Sequence, residues 1–105
     1  MNILFDQGTP VPLRHYLQSH TVATTFELGW SSLSNGELLM RAEPLFDLLI
    51  TTDQQLRYQQ SLRGRKLAVL VLMTTSWPRL RKRIPEICEM VARMKEGDYR
   101  EINVK

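Results

Sequence analysis

Three carboxylates stand where apolar segments of the chain give way to turns. Asp6 follows the run Ile3-Leu4-Phe5, Asp53 follows Leu48-Leu49-Ile50-Thr51-Thr52, and Glu37 lies in the first turn of the helix that Ser34-Asn35-Gly36 opens. If the two runs are parallel strands, both aspartates emerge at one edge of the sheet, and a helix that follows a strand also begins at that edge. Like charges held close repel and raise one another's pKa, and a hard divalent cation is the commonest relief. Asp47 is an internal control. It precedes the second run, and five residues at about 3.3 Å each separate it by roughly 16 Å from the end where Asp53 emerges. Each acid also has a purely structural reading. Ser34-x-x-Glu37 matches a capping box, Asp53 suits an N-cap, and Asp6 could brace an Asx turn with Gly8.

The elements that must position these side chains alternate along the sequence. Asn2 to Phe5 reads as a buried strand, followed by a helix start with Thr9 as N-cap, Pro10 in the first turn and an apolar stripe of Leu13, Tyr16 and Leu17. Thr21 to Leu28 is rich in β-branched residues and reads as a second strand closed by Gly29. The helix opened at Ser34 turns Leu38, Leu39 and Ala42 inward and stops at Pro44. Leu48 to Thr52 is a third strand, followed by a helix carrying Leu56 and Leu62 that Gly64 ends, and Leu67 to Met73 is a fourth strand. From Ser76, the residues Leu80, Ile84, Ile87, Val91 and Met94 recur at helical spacing, with Pro85 requiring a kink or a new helix start; Tyr99 to Val104 is a last strand. The expected fold class is α/β: one domain over residues 1–105, a three-layer α/β/α sandwich around a mostly parallel open sheet of about five strands.

Composition narrows the setting. With 43% hydrophobic and 24% charged residues, the 105-residue chain has the balance of one globular domain. No apolar run approaches the roughly 20 residues of a spanning helix, so neither a membrane segment nor a signal peptide is expected. Cys88 is the single cysteine, which excludes an intrachain disulfide, and the cytoplasm is the default location. The net charge of +3 conceals an asymmetry: residues 1–56 hold two basic and six acidic side chains, residues 57–105 twelve basic and five acidic. One half is suited to gathering cations and the other to meeting a polyanion such as nucleic acid.

The stretches Ile3-Leu4-Phe5-Asp6, Glu27-Leu28-Gly29-Trp30, Ser34-Asn35-Gly36-Glu37-Leu38-Leu39 and Leu49-Ile50-Thr51-Thr52-Asp53 resemble the small PIN-like domains of prokaryotic toxin–antitoxin loci, the VapC-like toxins of the PIN nuclease superfamily. Leu56-Arg57-Tyr58-Gln59-Gln60 and Ala68-Val69-Leu70-Val71-Leu72 extend the resemblance over nearly the whole chain. It implies that Asp6, Glu37 and Asp53 bind Mg²⁺ or Mn²⁺ for phosphodiester hydrolysis of RNA, and that a cognate antitoxin protein is a partner. Where such nucleases carry further acids, this chain has Gln7, Gln54 and Gln55. Those glutamines favour the second expectation, a PIN-like module without catalysis that holds RNA or a protein. A phosphoacceptor receiver domain is a third, but the acidic pair and late lysine it requires are missing.

Arginine offers phosphate a planar bidentate fork, and Arg57, one turn beyond Asp53, is the first candidate for RNA binding. Arg63, Arg65 and Lys66 border the same helix, and Arg79, Arg81, Lys82 and Arg83 form a second basic group at the start of the last helix. Trp30 and Trp77 are suited to stacking on bases, with packing in a core or an interface the more ordinary use. Cys88 reads as an inert core thiol, and His15 and His20 lack metal-ligand spacing. Trp30, the apolar run Leu38 to Met40 and the family resemblance together suggest a homodimer.

Overall fold

The computed structural model describes the chain except Gln60, Arg63 and Lys105. Five strands, β1 (Asn2–Phe5), β2 (Thr21–Thr24), β3 (Leu48–Thr51), β4 (Ala68–Leu72) and β5 (Tyr99–Ile102), form one sheet in the order β2-β1-β3-β4-β5. Every neighbouring pair is parallel, with Phe5 opposite both Thr24 and Ile50, and Thr51 opposite Val71. The continuous apolar runs dictate this. Strands covered on both faces have no polar side to offer water, and β3 and β4 are buried at every position.

The strands divide their side chains between two cores. Ile3, Phe5, Leu48, Ile50, Leu70 and Leu72 face one layer, built from the 3-10 helix Val11–Tyr16 (Leu13), α3 (Trp77–Arg81; Leu80) and α4 (Ile84–Arg93; Ile87, Val91). Leu4, Leu49, Val69 and Val71 face the other, built from α1 (Asn35–Ala42; Leu38, Leu39, Ala42) and α2 (Leu56–Gln59; Leu56). This is the expected three-layer α/β/α sandwich around a parallel five-stranded sheet. Among the described residues no helix is long and apolar enough to cross a membrane.

The layer assignment also fixes the hand of the crossovers. From β1 the chain crosses to β2 on one face, while β2 to β3 and β3 to β4 travel the opposite way across the sheet on the opposite face, so these three share one hand. The connection from β4 to β5 travels in that second direction but over the first face, where Cys88 Sγ donates to the Tyr16 carbonyl at 3.3 Å. It therefore has the opposite hand, against the strong preference for right-handed crossovers. The exit from β1 and the exit from β3 also leave on opposite faces. A crevice opens between these adjacent strands at their carboxyl ends, the place where open α/β sheets bind ligands.

Several local expectations change. Thr9 does not cap the first helix: the cap is Pro10, without a side-chain hydrogen bond, and the helix is a short 3-10 segment between Pro10 and Leu17. The Thr9 hydroxyl is drawn instead to Asp6 and Ile50, as described below. The second strand ends at Thr24 rather than Leu28, because Thr24 and Glu27 close a turn on each other, Glu27 N–H donating to Thr24 Oγ1 at 3.1 Å and Thr24 N–H to Glu27 Oε1 at 2.9 Å. Pro85 starts a new helix, α4, so the last apolar stripe is split between two helices. Of the run Leu38 to Met40, Leu38 and Leu39 are in the core and only Met40 is exposed. Those two leucines are spent inside the protomer, because a helix packed on a sheet buries its own stripe first. The expected extension of the helix after Asp53 as far as Gly64 runs through Gln60 and Arg63, outside the described residues.

Candidate functional site

Among the described residues the buried polar side chains are Thr9, Thr24, Thr25 and Thr51. All belong to the carboxyl edge of the sheet, at the ends of β2 and β3 or in the loops that follow β1 and β2. A buried hydroxyl needs a partner, and at this edge the principal partner is a carboxylate.

Asp6 lies just past β1, half-buried, and accepts hydrogen bonds from the hydroxyls of Thr51 and of Thr9, the latter at 2.9 Å. The Thr51 hydroxyl also accepts the backbone N–H of Asp53 at 3.0 Å. The Thr51 side chain at the end of β3 thus bonds the Asp6 carboxylate across from the neighbouring strand and the backbone of Asp53 two residues on. Gly8 allows this approach: a Cβ at that position would overlap Thr52 Oγ1. Burial pushes the Asp6 carboxyl above its ordinary value, the hydroxyls of Thr51 and Thr9 partly oppose the rise, and the Asp53 charge adds to it. An ionised Asp6 is therefore costly to the fold on its own, which suits a side chain that meets a cation.

Asp53 is fixed by both oxygens. Oδ1 accepts the Gln55 N–H at 2.9 Å, capping the turn into α2, and Oδ2 accepts Asn35 Nδ2 at 3.1 Å. Asn35 belongs to the first turn of α1, so its contact ties the start of that helix to the crevice. Glu37, two residues further on, is on the same rim but turned to its cap: Ser34 Oγ accepts the Glu37 N–H at 3.3 Å and donates to Glu37 Oε1 at 3.2 Å. Ser34 is thus the N-cap of α1, with Glu37 Oε1 on its hydroxyl rather than on its N–H; Asp6 accepts the Gly8 N–H, as the turn reading expected, and is also brought beside Asp53. Among the described residues no group of three or more His, Cys, Asp or Glu side chains is placed to hold a metal ion. Asp47 lies at the opposite edge, accepting the Asn2 N–H at 2.8 Å.

A Ser34→Ala substitution separates the two uses of Glu37. It should lower stability by about 1 kcal/mol through loss of the cap, read as a lower urea midpoint. It should leave intact any stabilisation by Mn²⁺, since it takes no ligand from the rim.

The basic candidates divide. Arg57 lies 4.6 Å above the Tyr58 ring and 5.9 Å from the Tyr99 ring, and pairs with Glu101 at 3.6 Å, so its guanidinium already has a carboxylate partner. Arg83 pairs with Glu86, its Nε 2.7 Å from Oε2. Arg79, Arg81 and Lys82 are exposed on α3 and its cap, beyond the carboxyl end of β4. Arg65 pairs with Glu43 at 3.7 Å, and Arg63 lies outside the described residues. The tryptophans are half-buried in packing roles, Trp30 edge-on to Phe46 at 6.3 Å and Trp77 against Tyr16 at 6.1 Å. Cys88 is a thiol raised by burial, consistent with an inert role.

The side chains of Gln7 and Gln54 are structural ties. Gln7 Nε2 donates to the Ser31 carbonyl at 2.8 Å and Gln54 Nε2 to the Met73 carbonyl at 3.2 Å, linking neighbouring rim loops. Reading the sequence missed Thr9, Thr51 and Asn35 as partners of the two aspartates. For Thr51 the signal was available, since a threonine ending a continuous apolar run is buried and must bond something. A cleft of about 430 Å³ at the amino edge, bordered by Asn2, Asp47, Lys66 and Lys95, lies at the far end of the strands from these groups. Compared with protein-family models, with curated proteins and with solved structures, the chain matches none.

Proposed function

We propose that this carboxyl edge is the active site of a Mg²⁺- or Mn²⁺-dependent ribonuclease, in a PIN-like chain acting as the toxin of a toxin–antitoxin pair. The observation that carries the reading is the pairing of Asp6 with Asp53 at the ends of β1 and β3, where Thr51 bonds the Asp6 carboxylate and the Asp53 backbone and the Asp53 charge acts on Asp6. Mg²⁺ is commonly held by one or two carboxylates together with waters and substrate phosphate, so this pair fits such a cation. When bound, the cation would supply an activated water and neutralise charge on the phosphodiester. The chain's own part is to fix the two carboxylates. Thr51 and Thr9 orient Asp6, Asn35 and the Gln55 N–H orient Asp53, and Glu37, in the first turn of α1, is held by Ser34. The exposed Arg79, Arg81 and Lys82 supply charge for an RNA backbone. The toxin role, with an antitoxin partner, a homodimeric state and a cytoplasmic setting, rests on the sequence resemblance.

A second reading is a PIN-like module without catalysis that binds RNA or a protein. It is favoured by Glu37 turned to Ser34 and by Gln7 and Gln54 used as loop ties. Thermal melts separate the two. A ligand at a hundredfold excess over its Kd adds about 2.7 kcal/mol to native stability, which in a domain of this size is on the order of 10 °C. The nuclease reading expects a rise of that kind with Mn²⁺, together with Mn²⁺-dependent cleavage of single-stranded RNA. Identical melts in Mn²⁺ and in EDTA would leave the binding module.

A further inference from the structure

The geometry points to a base-binding subsite beside Asp6, in which Phe26 is a stacking platform for an unpaired base of single-stranded RNA. This rests on the reading of the carboxyl edge as an RNA site and adds to it a residue outside the carboxylate cluster. Phe26 is 83% exposed, an unusual position for a phenylalanine. Water is a poor environment for that ring, since burying such a side chain is favourable.

The ring is presented by a braced turn. The reciprocal bonds between Thr24 and Glu27 close it, Gly29 N–H donates to the Phe26 carbonyl at 3.1 Å, and Glu27 is ion-paired with Arg14. A braced backbone beneath the ring lowers the ordering cost of stacking.

Phe26 shares a cavity of about 250 Å³ with Val11, Thr24 and Thr25, and Asp6 forms part of its wall. A ligand in this cavity therefore lies next to the carboxylate proposed to hold the cation. The charges say which part of a nucleotide fits. Arg14 and Glu27 neutralise each other at the rim, leaving only the buried Arg14 Nε–H without a partner among the described residues, and the cavity's remaining charge is that of Asp6. A flat neutral group suits it, with the phosphate left to the cation site. Thr25, 2% exposed, has a hydroxyl with no hydrogen-bond partner among the described residues, a group that the polar edge of a base could satisfy after a turn of its side chain.

The test uses the full chain and a short single-stranded oligoribonucleotide carrying 2-aminopurine, whose fluorescence is quenched by stacking. Binding to the parent protein should quench it. Phe26→Ala should weaken the oligonucleotide by about 5- to 150-fold, the effect expected for one stacked base. Phe26→Trp should restore affinity, and an abasic oligonucleotide should lose affinity for the parent but little for Phe26→Ala. Because the side chain is exposed, the melting temperature and its rise with Mn²⁺ should be unchanged in Phe26→Ala. The proposal is overturned if the parent binds no single-stranded RNA, if Phe26→Ala binds as the parent does, or if Phe26→Ala changes only the mass in light scattering. Absence of any Mn²⁺ effect, with stacking at Phe26 retained, would sink the nuclease reading and leave the base subsite standing.

Discussion

Asp53→Asn should abolish both the rise in melting temperature with Mn²⁺ and the cleavage of RNA, while leaving the metal-free fold almost unchanged. The variant keeps the size of the side chain and an oxygen to accept the Gln55 N–H, and asparagine is as good a helix cap as aspartate. Its new amide nitrogen meets Asn35 Nδ2 where Oδ2 accepted a hydrogen bond, and a flip of one amide restores a donor facing an acceptor. What cannot be restored is the negative charge. If Asp53 were only a cap, the parent would show no metal effect and the variant no loss. Paired melts of parent and variant in Mn²⁺ and in EDTA, with cleavage assays on the same samples, decide between these outcomes.

Asp6→Asn should raise the melting temperature of the metal-free protein and abolish cleavage, a gain of stability at the expense of function. In the parent, Thr9 Oγ1 lies 2.9 Å from Asp6 Oδ1 and 2.8 Å from the Ile50 carbonyl oxygen, yet one hydroxyl has one proton. An ionised Asp6 competes with the carbonyl for it. An amide nitrogen in the Oδ1 position donates to Thr9, which is then free to donate to Ile50, while the amide oxygen accepts from Thr51. Thr9, Ile50 and Thr51 are then satisfied and no buried charge remains, while the Gly8 N–H, which bonds the carboxylate in the parent, is left to the amide oxygen. The expected gain is on the order of 1 kcal/mol, or a few degrees.

The pH dependence has a definite sign. Burial raises the folded-state pKa of Asp6 above its ordinary 3.8, so its ionisation weighs against the fold above that raised pKa, and the penalty disappears once the group is protonated in both states. The stability difference between Asp6→Asn and the parent should therefore be full at neutral pH. It should shrink as the pH falls through the raised pKa and be nearly gone below 3.8. Urea titrations at neutral and acid pH measure it. A variant less stable than the parent at neutral pH would show that the ionised carboxylate is held by the fold itself rather than reserved for a ligand.

The two aspartates were legible in the sequence because each ends an uninterrupted apolar run. Such a run is a strand covered on both faces, and a polar residue at its end marks where the chain leaves the core. The Pro85 restart and the Ser34 cap were legible for the same kind of reason, since a missing N–H or a short hydroxyl acts on residues within one turn. The short second strand was not, because Thr24 and Glu27 close their turn with help from Arg14, distant in sequence. Nor could local pattern assign Thr9 to Asp6 and Ile50 rather than to a helix cap, since the carbonyl that competes for it lies on another strand. Strand order, the opposite hand of the last crossover and the Thr51 bridge all follow from which layers pack together. Local pattern is enough to say which residues reach the edge. Which of them meet there, Asp6 with Asp53 rather than with Glu37, was decided by the tertiary structure, because a hydroxyl or carboxylate takes whichever partner the fold brings within hydrogen-bonding distance.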